Sequence, residues 1–278
     1  MASWSNLYQP NSQPVWIRNL MVNASKVLID NCVDGLSDIM EPARKSFKIG
    51  WGDQVIEDYI VGYRRKAPRD ANETWMQDQI ECLPTIARLG KEKSLQFFTY
   101  NELIMEAWRR PGSFPANIVG RLFSEIEFEH VDAAVERSRI FSGDMGTHID
   151  GAAMIDFCRF LIGLDLEGFF SRPKLCSRFP DRELDNLRDI GRFRELCDGL
   201  SDSQLRDAFH LWTGEVNSID FFLTTDKKFI RVMTETKRIN LPCMPVSPTS
   251  LLQYLGVSDR DPFPFKHDQF YRIDGRPE

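Results

Sequence analysis

Four short runs of neighbouring apolar residues, each closed by a polar one, constrain this chain more than any other feature. They are Val27-Leu28-Ile29 before Asp30, Leu95 to Phe98 before Thr99, Phe221-Phe222-Leu223 before Thr224, and Cys243 to Val246 before Ser247. Adjacent residues of a strand point to opposite faces, so apolar neighbours demand cover on both sides. Strands buried on both faces and separated by helical stretches are the mark of a parallel sheet in an α/β protein. The runs are too short for β-hairpins, so the expected fold is α/β with a mostly parallel central sheet.

Helical spacing fills the intervals. Residues 31–48 are helical at best, with Pro42 as a breaker. Residues 72–89 place Trp75, Gln79, Ile80, Leu83, Ile86 and Leu89 inward, with Pro84 in their midst. Thr99 and Glu102 have the spacing of a capping box for a helix from Tyr100 to Arg110, ended by Pro111-Gly112. Residues 117–170 look largely helical, and 171–200 are charged and broken by Pro173 and Pro180. A helix runs from Ser201 to Trp212, another from Lys227 to Thr234, and a last one starts at Ser247-Pro248 and stops at Gly256. The organisation expected is an N-terminal arm over 1–25, one domain over 26–256 with helical insertions at about 50–94 and 111–200, and a C-terminal tail over 257–278.

Composition excludes several classes. The 278 residues carry 35 basic and 41 acidic side chains, a net charge of −6, which argues against broad clamping of nucleic acid. Six cysteines form no C-x-x-C pair, so neither a disulfide scaffold nor a zinc cage is indicated, and only four histidines are present. No apolar run approaches a membrane span, and Met1 to Pro14 lacks the pattern of a secretory signal. A cytoplasmic protein with reduced thiols and no membrane partner is expected.

In parallel sheets, ligands bind beyond the carboxyl ends of the strands. Asp30 and Asp226 fall at that edge; Glu102, in a first helical turn, and Asp207, in the helix before the third run, can join them. Each has an ordinary reading too, as a cap, a capping-box partner or a helix-surface residue. Four carboxylates at one point stay ionised only around a cation. Oxygen ligands without imidazole or thiolate select Mg²⁺ or Mn²⁺, and such sites typically act on phosphodiesters.

The stretch Leu205-Arg-Asp207-Ala-Phe-His210-Leu, followed by Ile219-Asp-Phe-Phe-Leu-Thr-Thr-Asp226, closely resembles the C-terminal motif of PIN-domain proteins. Leu241 to Val246 with the Ser247-Pro248 helix looks like the family's last strand and helix. Val27 to Asp30 is similar to its first strand, and Phe98-Thr99-Tyr-Asn-Glu102 to its second. The resemblance covers about a third of the chain and is strongest over 203–256. It implies a Rossmann-like three-layer α/β/α fold and a metal-dependent nuclease, most often an endoribonuclease. Asp30, Glu102, Asp207 and Asp226 would hold Mg²⁺ or Mn²⁺, with Thr225 or Thr224 supporting them by hydrogen bonds.

This chain departs from that pattern. The family commonly has Asp-x-Asn at its first strand; here Asn31 follows Asp30 directly and Cys32 takes the next place. Glu106 lies one turn after Glu102 and is the alternative ligand; His210 is a half-buried helix residue or a contact to phosphate. Arg64, Arg65, Lys227, Lys228, Lys237 and Arg238 are candidates for a basic rim. The chain is about twice the length of toxin-type members. The readings left open are RNA or DNA as substrate, an inactive binding module, an inhibitor protein as partner, and a homodimer.

Overall fold

The computed structural model describes residues 24–51, 54–109, 120–141, 151–237 and 239–278. The arm as far as residue 23, the Pro111-Gly112 break and Arg238 of the expected rim lie outside them.

The protein is an α/β protein built on a five-stranded parallel sheet. Its strands are β1 (Ser25–Ile29), β4 (Leu95–Thr99), β5 (Phe128–His130), β6 (Phe221–Leu223) and β7 (Met244–Val246), in the order β5-β4-β1-β6-β7. All four pairings are parallel, with Val27 level with Phe97 on one side and Phe221 on the other. The apolar runs explain themselves in the packing. Leu28, Phe98 and Phe222 face one buried cluster, while Val27, Ile29, Phe97, Phe221 and Leu223 face another.

Helices cover both faces. The second cluster is roofed by α1 (Asn31–Ser37), α2 (Thr74–Lys91) and α11 (Pro248–Tyr254). Against the first lie α3 (Asn101–Trp108), α4 (Gly151–Ile162), α5 (Leu166–Phe170), α6 (Pro173–Cys176), α7 (Asp181–Arg188), α8 (Ile190–Cys197), α9 (Leu205–Val216) and α10 (Lys227–Arg231). Phe193 stacks on Trp212 with ring centroids 5.0 Å apart, and Phe209 meets Phe157 edge to face. Pro84 sits inside α2 on its buried side, and Gln79 ties α2 to α11 by accepting from the N–H and hydroxyl of Thr249. Gly256, at φ +70°, ends the α11 turn in the left-handed region that favours glycine.

Several local expectations are corrected. The stretch from Met40 to Arg65 is a long antiparallel hairpin, β2 (Met40–Trp51) with β3 (Gln54–Arg65), and Phe270–Tyr271 adds a short third strand, β8, at its base. The stretch expected as helical insertion at 50–94 therefore begins as strand. The hairpin's Ile49, Val55, Ile56, Tyr59 and Val61 are strand formers, but both faces are exposed, so no one-sided alternation marks them. Pro42 stands in β2, whose outer edge pairs with no described strand, and an edge strand tolerates a missing N–H. Gly62 is required at the base: a side chain there would meet the Tyr271 carbonyl and the Phe270 ring. In the second insertion, Phe128–His130 is an edge strand rather than helix, too short to carry a pattern. Among the described residues no helix is long and apolar enough to cross a membrane.

Candidate functional site

The sheet order places β1 at the centre, with β4 added on one side and β6 on the other. Such a reversal, at the carboxyl end of the strands, is where open parallel sheets bind ligands. Asp30 stands directly after β1, and Thr224, Thr225 and Asp226 directly after β6. The Asp30 N–H continues the ladder by donating to the Leu223 carbonyl at 3.0 Å.

Asp30 and Asp226 are separated by one hydroxyl. Thr224 Oγ1 donates to Asp30 Oδ2 at 2.6 Å and accepts from the Asp226 N–H at 3.2 Å. Asp226 caps α10, its Oδ1 accepting from the Phe229 N–H at 2.8 Å. Cys32 is woven into the same corner. Its Sγ donates to Asp30 Oδ2 at 2.8 Å and accepts from the Thr225 N–H at 3.2 Å. Burial, then the Asp30 charge, pushes the Cys32 thiol well up, so it stays protonated.

Asp207 approaches from α9 and feels both strand-end aspartates. Burial first, and Asp30 next, push its carboxyl up to about 7, with Asp226 adding to the repulsion. It takes no donor from any described residue. Asp30 and Asp226 thus both act electrostatically on Asp207, and no arginine or lysine is paired to the three among the described residues.

The glutamates of α3 are arranged differently. Glu102 is buried and bonded to Arg137, Nε to Oε1 at 2.9 Å, with side chains 4% and 2% exposed. The expected capping box is therefore absent: Tyr100 is the N-cap, without a side-chain bond, and Glu102 turns to Arg137 instead. Glu106 pairs with Arg206 at 2.6 Å and lies 3.6 Å from His210 Nε2. Burial alone would raise its carboxyl, but His210 and Arg206 outweigh that and hold it near 2. His210 is raised in turn: burial opposes its charge, but Glu106 and the aspartates prevail. The far ring nitrogen, Nδ1, meets the buried Tyr100 hydroxyl at 2.5 Å. Asn31 bridges α1 to α3, donating to the Leu103 carbonyl at 2.6 Å and, at 3.4 Å, to Glu106.

The cations of the expected rim divide. Lys227 and Lys228 are exposed in the first turn of α10, next to Asp226, and Lys227 Nζ lies 5.5 Å from the Trp75 ring centre. Arg64 and Arg65 belong to the hairpin sheet. Arg65 lies over Phe263 and donates to the Phe265 carbonyl, so the C-terminal segment holds it. Trp108 is 48% exposed, whereas Trp212 is buried.

Among the described residues, no group of three or more His, Cys, Asp and Glu side chains is placed so that it could hold a metal ion. Carboxylate oxygens are the donor type a hard divalent cation takes, and Asp207 feels the charge of the other two aspartates. Glu102 does not fit that set while Arg137 holds it. Sequence reasoning missed Arg137, which lies 35 residues from Glu102 in an irregular segment and carries no local signal. Comparison of the chain with family models, with curated proteins and with solved structures finds no match.

Proposed function

We propose that this chain is a metal-dependent nuclease of PIN type, with a Rossmann-like three-layer α/β/α domain and RNA as its substrate. One observation carries the reading: at the switch point of the sheet the Thr224 hydroxyl joins Asp30 to the Asp226 N–H, and both aspartates act on Asp207 with no arginine or lysine paired to the three among the described residues. Four matching motif positions along the chain support it. Mg²⁺ or Mn²⁺, when bound by Asp30, Asp207 and Asp226, would supply the Lewis acidity that phosphodiester hydrolysis needs.

The chain's own groups do the rest. Thr224 and Cys32 fix the Asp30 carboxylate by donating to Oδ2. Asp226 is held by its cap bond to α10. Lys227 and Lys228 offer charge to the phosphates of a strand lying across the carboxyl edge. Glu102 anchors Arg137, and Glu106 anchors Arg206 and His210, which fixes α3 against α9 beneath the aspartates.

A second reading has its own support. Glu102 is neutralised by Arg137, and Cys32 covers part of Asp30, as expected of a PIN-like module that binds or assembles without cleaving. A cleavage assay separates the two. Single-stranded and hairpin RNA, and single-stranded DNA, are incubated with Mn²⁺, with Mg²⁺ and with chelator, using wild type and Asp226→Asn. Metal-dependent cleavage of RNA lost in the variant supports the nuclease; cleavage of DNA alone changes the substrate. Inactivity of wild type on every polymer, with no Mn²⁺-dependent rise in Tm, favours the module.

A further inference from the structure

The arginines that answer the glutamates of α3 outnumber them by one. Glu102, Glu106 and Arg109 stand at i, i+4 and i+7, one stripe of the helix, with Arg109 as its C-cap. Glu102 holds Arg137 at 2.9 Å, and Glu106 holds Arg206, in the first turn of α9, at 2.6 Å. The Arg109 guanidinium makes no hydrogen bond or ion pair with any described residue, and its Nε is buried without a partner.

Arg109 is not a solvated surface cation. Burial works first against its charge; Glu106 favours the charge, and Arg206 and Arg137 repel it. A Cβ on Gly151 would lie 2.5 Å from its Nη1, so the guanidinium packs against the first residue of α4 in space that glycine leaves. Three guanidiniums thus share two carboxylates, a surplus of one positive charge. That surplus adjoins the aspartates, because Arg206 also acts on its sequence neighbour Asp207. The Arg206 side chain is 29% exposed and Arg109 is half-buried, so solvent reaches both.

We propose that Arg109, with Arg206 beside it, is a phosphate-binding site, and that its occupant is a backbone phosphate of a single-stranded RNA lying past the aspartates. A guanidinium fork matches two phosphate oxygens, and a phosphodiester carries the one negative charge the cluster lacks. An acidic peptide would set further carboxylates against Asp207, whereas nucleic acid arrives with its own counterions. The site positions the strand and takes no part in bond breaking. The strand as occupant rests on the nuclease reading; the phosphate site does not.

Fluorescence anisotropy of the full chain with a short labelled single-stranded RNA, in chelator so that nothing is cut, tests it. Arg109→Ala is expected to weaken binding about tenfold at low salt and to lower the slope of log Kd against log salt by about one. Arg109→Lys is expected to keep the slope and recover part of the affinity. Lys174→Ala, which removes an exposed cation on α6, is expected to change neither. Tm of Arg109→Ala is expected to hold, since no described partner is lost. Inorganic phosphate at constant ionic strength is expected to raise the Tm of wild type and not of Arg109→Ala. Unchanged RNA affinity in Arg109→Ala overturns the strand as occupant, and a phosphate effect that persists beside it assigns the site to a free phosphate group. An equal loss in Lys174→Ala, no phosphate effect, or a fall of about 5 °C in the Tm of Arg109→Ala overturns the site itself. A chain that never cleaves RNA but loses affinity in Arg109→Ala fails the nuclease reading and keeps this site.

Discussion

Two sets of carboxylates lie near one edge of this sheet, and the chain treats them in opposite ways. On α3, Glu102 and Glu106 are given permanent cations, Arg137 and Arg206, at hydrogen-bonding distance. At the strand ends, Asp30 and Asp226 receive hydroxyl, thiol and backbone donors, Asp207 on α9 receives none, and among the described residues none of the three has an arginine or lysine partner. The same functional group is made structural in one place and left electrostatically unsatisfied in the other. A buried acid that is repelled by its neighbours lowers stability, and folds retain such strain where a ligand uses it.

The largest expected effect breaks the unsatisfied set. Asp226→Asn should lower metal-dependent cleavage by about 10³-fold, about 4 kcal/mol, while Tm barely moves. Asparagine still accepts the Phe229 N–H, so the α10 cap survives. An active variant in the cleavage assay would remove Asp226 from the centre. On the satisfied side, Arg137→Ala strands a buried Glu102 and should cost about 3–5 kcal/mol in urea unfolding. A neutral result would mean that Glu102 is free to turn elsewhere.

The pH dependence sharpens the same contrast, because the two acids shift in opposite directions. Asp207 is pushed up to about 7, so its proton is bound more tightly in the folded protein. Its contribution is fully present below about pH 4 and is lost as pH rises through 7, a few kcal/mol at most. Glu106 is held near 2; its contribution is present above about pH 4.5 and is lost as pH falls toward 2. Asp207→Asn should therefore flatten the neutral side of the stability profile and leave the acid side in place. An unchanged decline between pH 4 and 7 would assign it to other groups. Smallest of the set, Thr224→Val removes the hydroxyl shared by Asp30 and Asp226 and should cost about 1–2 kcal/mol of stability and about tenfold to a hundredfold in activity. Activity equal to wild type would show that Asp30 holds its position without that bond.

The satisfied and unsatisfied regions also differed in how far the sequence revealed them. Asp30 and Asp226 were legible because each follows a doubly buried apolar run, and such runs announce their own carboxyl ends. Asp207 was legible from helical spacing and the motif around it, whereas His210, expected half-buried or against phosphate, is fully buried between Tyr100 and Glu106. Glu102 was legible in position but not in role, since its partner Arg137 comes from a segment without periodicity. The hairpin was not legible at all. Its strands are exposed on both faces, so burial imposes no pattern, and its third strand lies near residue 270.

The central strand has a further consequence, in time rather than space. Thr224 and Asp30 meet across 194 residues of chain. At ribosomal rates of about 5–20 residues per second, β1 waits about 10–40 s after its own synthesis before β6 exists to pair with it. During that interval one edge of the central strand is open, and the aspartates that would form the centre are still apart. A nascent or truncated chain lacking β6 is therefore expected to be inert and prone to aggregate. The three aspartates can come together only once most of the chain has been made, so on the nuclease reading a partly synthesised copy would carry no activity.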